Sequence, residues 1–214
     1  MPNDFPIYFH DPKNKPVVFA LSAALGCLIA ALLAEGFLLA PPKGEPAQSI
    51  CLTIDTSGSM AGNLMREMQK AAQDFVDQRA GDNLALTIFS SDARVVEPFT
   101  TDHRRLKATI GNLLAFGATN FEAALRESIK VLETSKNSHK TLLIFTDGEN
   151  TEGDADQAIR AAKSLREQGV RIFAVAALDA DVMYLAALTG DRNSVVDARS
   201  GGLDKAFGEV EKMM

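Results

Sequence analysis

Short β-rich segments alternate with helical segments from residue 48 onward, and this alternation restricts the fold more than any other feature of the sequence. Strands that alternate with helices of about 10 to 15 residues are typical of βαβ units. The sequence therefore predicts an α/β fold with a mostly parallel sheet and helices on both faces. The expected strands cover 50–55, 84–89, 94–99, 141–146, 171–177 and 194–197, and the expected helices 63–79, 102–114, 120–133, 156–168, 181–188 and 203–213.

The second and third predicted strands are separated by the short turn Ser90-Ser91-Asp92. A gap of this length between two strands predicts a β-hairpin. We therefore expect residues 94–99 to pair antiparallel with residues 84–89 in an otherwise parallel sheet.

A long apolar segment precedes this domain. Residues 17–40 contain one charged side chain, Glu35. As a helix this segment would be about 36 Å long, and a bilayer core requires about 20 residues. We expect an N-terminal cytoplasmic segment over 1–16, a transmembrane helix over 17–40, a Pro-rich linker over 41–47 and the soluble domain over 48–214.

The flanking lysines predict the orientation of this span. Lys13 and Lys15 precede it, and Lys43 follows it. The excess of positive charge on the N-terminal side favours a cytoplasmic N-terminus and a periplasmic or extracellular C-terminal domain. A cleaved signal peptide is an alternative. At the best cleavage position, however, Leu38 stands where a small residue is preferred, and Pro41 directly follows the cleaved bond. A buried core helix is the other alternative, although residues 48–214 form a complete domain without one.

Composition excludes several classes of protein. The net charge of −6 disfavours nucleic-acid binding, which requires a basic surface. The two cysteines, Cys27 and Cys51, provide neither a metal cluster nor a disulfide framework. The sequence contains no P-loop, no GxGxxG and no HExxH motif.

Oxygen-bearing side chains follow the predicted strands at one edge of the sheet. The segment 55–59 (DTSGS) follows the first strand, Asp147 follows the strand 141–146, and Thr119 precedes a helix that starts at the same edge. Ligands of open α/β sheets bind at this edge. Taken singly, each motif also has a structural explanation: a turn or helix cap for 55–59, an N-cap with Glu122 as capping-box partner for Thr119, and a turn for Asp147. These explanations do not account for the convergence of all three.

Two carboxylates and three hydroxyls form a ligand set that suits a hard cation such as Mg²⁺. Mn²⁺ and Ca²⁺ also accept oxygen ligands. The predicted metal-binding side chains are those of Asp55, Ser57, Ser59, Thr119 and Asp147.

These motifs resemble the metal-ion-dependent adhesion site (MIDAS) of the von Willebrand factor type A (vWA) domain family. The pattern D-x-S-x-S occurs at 55–59, the separate threonine in GATN and the separate aspartate in FTDGEN. The resemblance implies a Rossmann-like fold in which residues 94–99 form an antiparallel edge strand. It implies that the three hydroxyls contact the metal, that both carboxylates bind it directly or through water, and that a Glu or Asp of a protein partner completes the coordination.

One segment departs from the family pattern. Residues 174–177 (AVAA) stand where a glycine-rich turn is common, so the shape of the following loop is not predicted. The apolar span makes the chain similar to bacterial membrane-tethered proteins of this family, such as the aerotolerance (Bat) group.

The sequence predicts a membrane-anchored, metal-dependent protein-binding module and not an enzyme. An aspartyl-phosphate phosphatase requires a second carboxylate where Ser57 stands, and a serine hydrolase requires a nearby histidine. His103 and His139 are predicted at the opposite edge of the sheet, and His10 precedes the apolar span. The alternative function is a scaffold subunit of a larger membrane complex, which binds through its helix and domain surface while the metal site is structural or vestigial.

A group of acidic residues follows the predicted metal-binding Asp147. Glu149, Glu152, Asp154 and Asp156 are expected to form a solvated loop. They also favour a partner that carries basic residues around its carboxylate.

Overall fold

The computed structural model describes residues 48–214, which form a six-stranded mixed sheet. The strands are β1 (Ser49–Asp55), β2 (Asn83–Phe89), β3 (Ala93–Thr100), β4 (Lys140–Thr146), β5 (Arg171–Ala176) and β6 (Val195–Asp197). Their order in the sheet is β3-β2-β1-β4-β5-β6. All neighbours are parallel except β2 and β3. The predicted parallel sheet and its antiparallel edge strand are therefore confirmed.

The central strands are apolar because both of their faces are covered. Every residue of β1 is buried, and only the first residue of β2 and of β4 is partly exposed. Such continuous burial is typical of a parallel sheet between two helical layers. The edge strand β3 differs, since only Glu97 within it is buried. Pro98 is tolerated there because an edge strand pairs on one side only.

Within residues 48–214, six α-helices cover the sheet. They are α1 (Asn63–Asp77), α2 (His103–Gly111), α3 (Phe121–Thr134), α4 (Ala155–Glu167), α5 (Val182–Thr189) and α6 (Leu203–Met213). Side chains of β1 alternate between the two cores, as the period of a strand requires. Ile50, Leu52 and Ile54 pack with residues of α1, α2 and α6, whereas Cys51 packs with residues of α3, α4 and α5. Helices therefore cover both faces, as predicted.

The largest difference from the predicted elements is the end of α2. A helix over 102–114 was expected, but Asp102 is the N-cap and the helix ends at Gly111. The chain then leaves the helix so that Leu113 becomes buried and Phe116 N–H donates to Thr56 O at 2.8 Å. This non-helical segment connects α2 to the end of β1.

The predicted N-terminal segment, transmembrane helix and linker lie outside the described residues. Within residues 48–214, no helix has both the length and the apolar character that a membrane span requires.

Candidate functional site

The first predicted site residue lies where the strand order of the sheet reverses. From β1 the chain continues to β2 on one side, while β4 pairs with β1 on the other. Asp55 is the last residue of β1, and Asp147 directly follows β4. A crevice at such a switch point is the usual ligand site of an open α/β sheet.

Asp55 is completely buried, and both of its carboxylate oxygens accept hydrogen bonds. Thr146 Oγ1 donates to Oδ2 at 2.6 Å, and the Ser57 backbone N–H donates to Oδ1 at 2.8 Å. Burial raises the pKa of Asp55 to about 6, although these two hydrogen bonds act in the opposite direction. The carboxylate is therefore held in one orientation in a poorly solvated environment.

A chain of hydroxyl groups connects this loop to Asp147. Ser57 Oγ lies 3.0 Å from Ser59 Oγ, and Ser59 Oγ donates to Asp147 Oδ1 at 2.9 Å. Asp147 is buried, and its Oδ2 has no hydrogen-bond partner within residues 48–214. Burial raises the pKa of Asp147, and the nearby Asp179 acts in the same direction.

Thr119 reaches the same cluster. A Cβ on Gly148 would lie 3.8 Å from both Ser59 Oγ and Thr119 Oγ1, so glycine at this position lies against both hydroxyl oxygens. The backbone of Thr119 is fixed from the β4–α4 loop. Its N–H donates to Thr151 Oγ1 at 2.9 Å, and its carbonyl accepts from Thr151 N–H at 2.9 Å.

The interpretation of Thr119 as a helix cap is wrong. Asn120 is the N-cap of α3, and its side chain accepts from Ala123 N–H at 3.0 Å. Glu122, the expected capping-box partner, instead accepts from Asp154 N–H at 2.8 Å. Within residues 48–214, Thr119 Oγ1 makes no hydrogen bond, so its oxygen remains available to a ligand.

The loop before Thr119 is held directly against the β1 loop. Gly58 N–H donates to Gly117 O at 2.9 Å. Gly117 has a φ of +83°, and a Cβ there would lie 3.1 Å from Ser91 Oγ. Glycine is therefore favoured by both its backbone conformation and its close approach to the β2–β3 turn. Gly117 has no role in the predicted site, although a glycine two residues before a site residue can indicate such a turn.

The shape of the loop after β5 was not predicted. In the structure this loop lies alongside the end of β4. Ala177 N–H donates to Thr146 O at 3.0 Å, and Asp179 N–H donates to Asp147 O at 3.2 Å. Leu178 lies between them with a φ of +42°, in the left-handed region that glycine would occupy without strain. Sequence reasoning did not assign Asp179 to the site. Its position just after a strand, at the same edge as Asp147, is the signal that could have found it.

The side chains of the cluster carry oxygen atoms that could act as metal ligands. His103 Nε2 lies 3.0 Å from Asp82 O, and His139 precedes β4, so both histidines lie at the opposite edge of the sheet, as predicted. Within residues 48–214, no three His, Cys, Asp or Glu side chains form a group that could hold a metal ion. The cluster instead consists of two carboxylates and three hydroxyls. Such oxygen ligands suit a hard cation and not a soft one.

The fold and this cluster define a doubly covered α/β domain with an oxygen-rich site at its switch point. Residues 50–149 match the family model of the von Willebrand factor type A domain. This match and the structural neighbours support a vWA domain in the described part of the chain.

Among curated proteins, this chain is similar to inter-alpha-trypsin inhibitor heavy chain H2 of Sus scrofa. The two are 26% identical over 185 residues, which cover 78% of this chain and 20% of that protein. The chain therefore spans only about a fifth of the length of this relative.

Two solved structures illustrate the likeness of the fold. Proximal thread matrix protein 1 from the mussel byssus, solved with a zinc-occupied MIDAS motif, has a TM-score of 0.70 at 19% identity over 78% of this chain and 45% of that chain. An aerotolerance-related membrane protein from Bacteroides fragilis has a TM-score of 0.64 at 17% identity over 78% of this chain and 98% of that chain.

Proposed function

We propose that this protein is a metal-dependent protein-binding module. In this proposal Asp55, Ser57, Ser59, Thr119 and Asp147 hold a divalent cation, which binds an acidic residue of a protein partner. Mg²⁺ is the proposed ion because it prefers oxygen ligands, and Mn²⁺ or Ca²⁺ would be accepted by the same donors.

One observation carries this proposal. Asp147 Oδ2 is buried without a hydrogen-bond partner within residues 48–214, and the second buried carboxylate, Asp55, ends the adjacent strand β1. Two carboxylates in a poorly solvated site are unfavourable unless positive charge compensates them. Within residues 48–214, neither Asp55 nor Asp147 forms an ion pair with a basic side chain. The site therefore fits a divalent cation.

The protein's own residues have distinct roles in this proposal. Thr146 and the Ser57 backbone N–H orient Asp55, whereas Ser59 orients Asp147. Thr151 fixes the backbone that carries Thr119. A cation held mainly by neutral hydroxyls retains enough positive charge to attract an external carboxylate, and this is the chemistry that the ion would supply.

The relatives support a role in protein interaction and assembly. They include a byssal matrix protein with a zinc-occupied MIDAS motif and the type V pilus tip protein Mfa5 of Porphyromonas gingivalis. The zinc in the first of these supports a divalent-cation site here. Neither the cluster nor the relatives suggest catalysis, and we propose no enzymatic activity for this chain.

We also propose that residues 17–40 anchor the domain in a membrane. The N-terminal residues 1–16 would then be cytoplasmic, and residues 41–47 would link the anchor to a periplasmic or extracellular domain of residues 48–214. The apolar composition of residues 17–40 supports this organisation, and a structural neighbour is an aerotolerance-related membrane protein.

The metal site is tested by titrating the purified full-length protein with Mg²⁺ in detergent, using calorimetry and thermal unfolding. At an Mg²⁺ concentration about 100 times the Kd, the free energy of unfolding is expected to rise by about 2.7 kcal/mol. Thr119→Ala should weaken Mg²⁺ binding. Thr101→Ala is the matched control, because Thr101 is exposed and lies between β3 and α2, at the opposite edge of the sheet. Equal Mg²⁺ binding by both variants would contradict the assigned site.

The partner is tested by affinity capture from gently solubilised membranes in Mg²⁺, in EDTA, and with Thr119→Ala in Mg²⁺. A partner that the wild-type protein retains only in Mg²⁺ supports the metal-dependent mechanism. Partners that persist under all three conditions would favour the scaffold function, in which the apolar segment and the domain surface bind.

A further inference from the structure

Large apolar side chains are exposed mainly around the candidate metal site. Within residues 48–214 they are Leu114 (76% exposed), Phe116 (59%), Leu178 (52%), Met183 (76%) and Met213 (38%). Leu114 and Phe116 precede α3, Leu178 lies between β5 and α5, and Met183 lies in the first turn of α5, so all four are at the carboxyl edge of the sheet. Met213 lies near the end of α6. This end of the helix contacts Arg79, just beyond the end of α1, and therefore lies at the opposite edge of the sheet. Single exposed apolar residues are normal, but four on one edge are a feature of interaction surfaces.

Two of these side chains, those of Phe116 and Leu178, lie on opposite sides of the candidate site. Phe116 is fixed beside β1, because its N–H donates to Thr56 O at 2.8 Å. Leu178 is fixed beside β4, because its chain neighbours Ala177 and Asp179 donate to the carbonyls of Thr146 and Asp147. Since β1 and β4 are adjacent, the two apolar residues flank the metal-binding cluster. We call Leu114, Phe116, Leu178 and Met183 the apolar rim.

Concave surfaces adjoin the rim on the Leu114 and Phe116 side. A groove of about 640 Å³ lies between the start of α1 and the end of α2, and its lining includes Met65, Leu113 and Leu114. A smaller cavity of about 190 Å³ lies beside Phe116 and is lined by Ile88 and Phe89 among others. Both could accept an apolar side chain next to a carboxylate at the metal site.

Charge around the rim is asymmetric. The groove beside Leu114 contains Arg66, whereas the loops after β4 and β5 carry only acidic charges. Those acidic residues are Glu149, Glu152, Asp154, Asp179 and Asp181. Asp154 forms an ion pair with Arg160 at 3.4 Å, whereas the other four form none within residues 48–214. An anionic lipid surface would be repelled by these carboxylates, and a basic protein segment would be attracted.

We infer that the apolar rim is a docking surface for a protein segment in which an acidic residue is flanked by apolar side chains, with basic residues towards the loops after β4 and β5. The inference rests on the proposed function, because the acidic residue is the one that the metal would bind. It adds the chemistry by which the partner is selected: the metal site recognises a carboxylate, and the rim recognises its apolar neighbours.

The test uses a phage-displayed library of short random peptides, selected on the full-length protein in detergent with Mg²⁺. Enriched peptides are expected to combine Asp or Glu with aromatic or aliphatic neighbours and nearby Lys or Arg. Phe116→Ser and Leu114→Ser should each weaken binding of such a peptide by about tenfold or more, since a few buried anchor residues carry most of the binding energy of an interface. Both variants should bind Mg²⁺ like the wild-type protein. Met213→Ser, the matched control at the opposite edge, should bind the peptide normally.

Several outcomes would overturn this inference. If peptides require Mg²⁺ and Thr119 but bind Phe116→Ser and Leu114→Ser normally, or if no peptide is enriched, the rim is not the docking surface. If peptide binding is unaffected by EDTA and by Thr119→Ala, the proposed function itself fails. Phe116-dependent binding to vesicles of phosphatidylcholine and phosphatidylglycerol would assign the rim to a membrane. Self-association that Phe116→Ser abolishes would assign it to a second copy of the chain.

Discussion

At the residue scale, the two buried carboxylates of the candidate site differ in how their oxygens are satisfied. Both oxygens of Asp55 accept hydrogen bonds, whereas only Oδ1 of Asp147 does so within residues 48–214. Asp55 is therefore already fixed by its neighbours. Asp147 retains an oxygen without a hydrogen-bond partner, and its lone pairs could coordinate a bound cation.

Asp55 is expected to make the stability of the metal-free protein depend on pH. Burial raises its pKa from the ordinary 3.8 to about 6, so the folded state binds this proton more tightly than the unfolded state. The contribution therefore favours folding below about pH 4 and is lost as the pH rises through 6. The full change is on the order of 3 kcal/mol.

Urea unfolding in EDTA between pH 4 and 7 measures this effect. Asp55→Asn is the matched variant, because an amide oxygen can still accept the hydrogen bond from Ser57 N–H. The stability of the wild-type protein should fall with rising pH relative to this variant. The same pH dependence in both proteins would show that Asp55 is not the titrating group.

Residues that directly follow strands could be predicted from the sequence more accurately than residues that shape loops. Asp55 and Asp147 could be placed because a parallel sheet brings the carboxyl ends of its strands together. The position of Asp179 after β5 indicates the same edge, but its contact with Asp147 could not be predicted, because the turn at Leu178 has a left-handed backbone without a glycine to indicate it. Asn120 and Thr119 are both acceptable N-caps. In the structure Asn120 caps α3, and the backbone of Thr119 is bound to the β4–α4 loop.

At the scale of the elements, the start of α3 connects the candidate site to the helical layer. The side chain of Asn120 caps the helix and also donates from Nδ2 to Ser91 O at 3.1 Å. Its backbone N–H donates to Ser90 O at 3.0 Å. This single residue therefore fixes both α3 and the β2–β3 turn against the segment that carries Thr119.

Asn120→Ala is expected to destabilise the metal-free protein by about 1 to 2 kcal/mol, because it removes the N-cap and a second hydrogen bond. Urea unfolding in EDTA measures the change. Thr119→Ala provides the comparison, since Thr119 Oγ1 caps no helix, and its effect in EDTA should be smaller. If Thr119→Ala were the more destabilising of the two, Thr119 would be the functional cap.

Strands were predicted closely because their apolar runs are continuous. The run TLLIFT lies within β4 and ICLTID within β1, with bounds that differ by one residue. The end of α2 was predicted three residues too late. Leu113 and Leu114 continue an apolar helical pattern in the sequence, but the hydrogen bond from Phe116 to Thr56 holds the segment outside the helix.

At the scale of the whole molecule, Phe207 joins the last helix to the rest of the domain. Its ring centroid lies 5.9 Å from that of Phe75 in α1 and 6.1 Å from that of Phe145 in β4. These residues belong to the core on the α1, α2 and α6 face. The side chain thus links three elements that are distant in sequence.

Phe207→Ala is expected to lower the free energy of unfolding by about 3 to 5 kcal/mol, because it removes a large buried ring and leaves a cavity. Denaturant unfolding followed by circular dichroism measures the loss. Phe116→Ala is the matched control, because Phe116 is exposed and its removal should change stability by less than about 0.5 kcal/mol. Equal effects of the two substitutions would contradict the packing of α6 against β4.

The candidate site is assembled from parts of the chain that are far apart in sequence, since Ser59 and Asp147 are separated by 88 residues. These parts meet only when β1 and β4 pair and the loop before α3 is in place. A ligand that bridges them therefore binds the folded sheet and not a local fragment. Its binding energy is coupled to the cooperative unfolding of the domain, so it would slow hydrogen exchange in the central strands as well as in the loops that touch it.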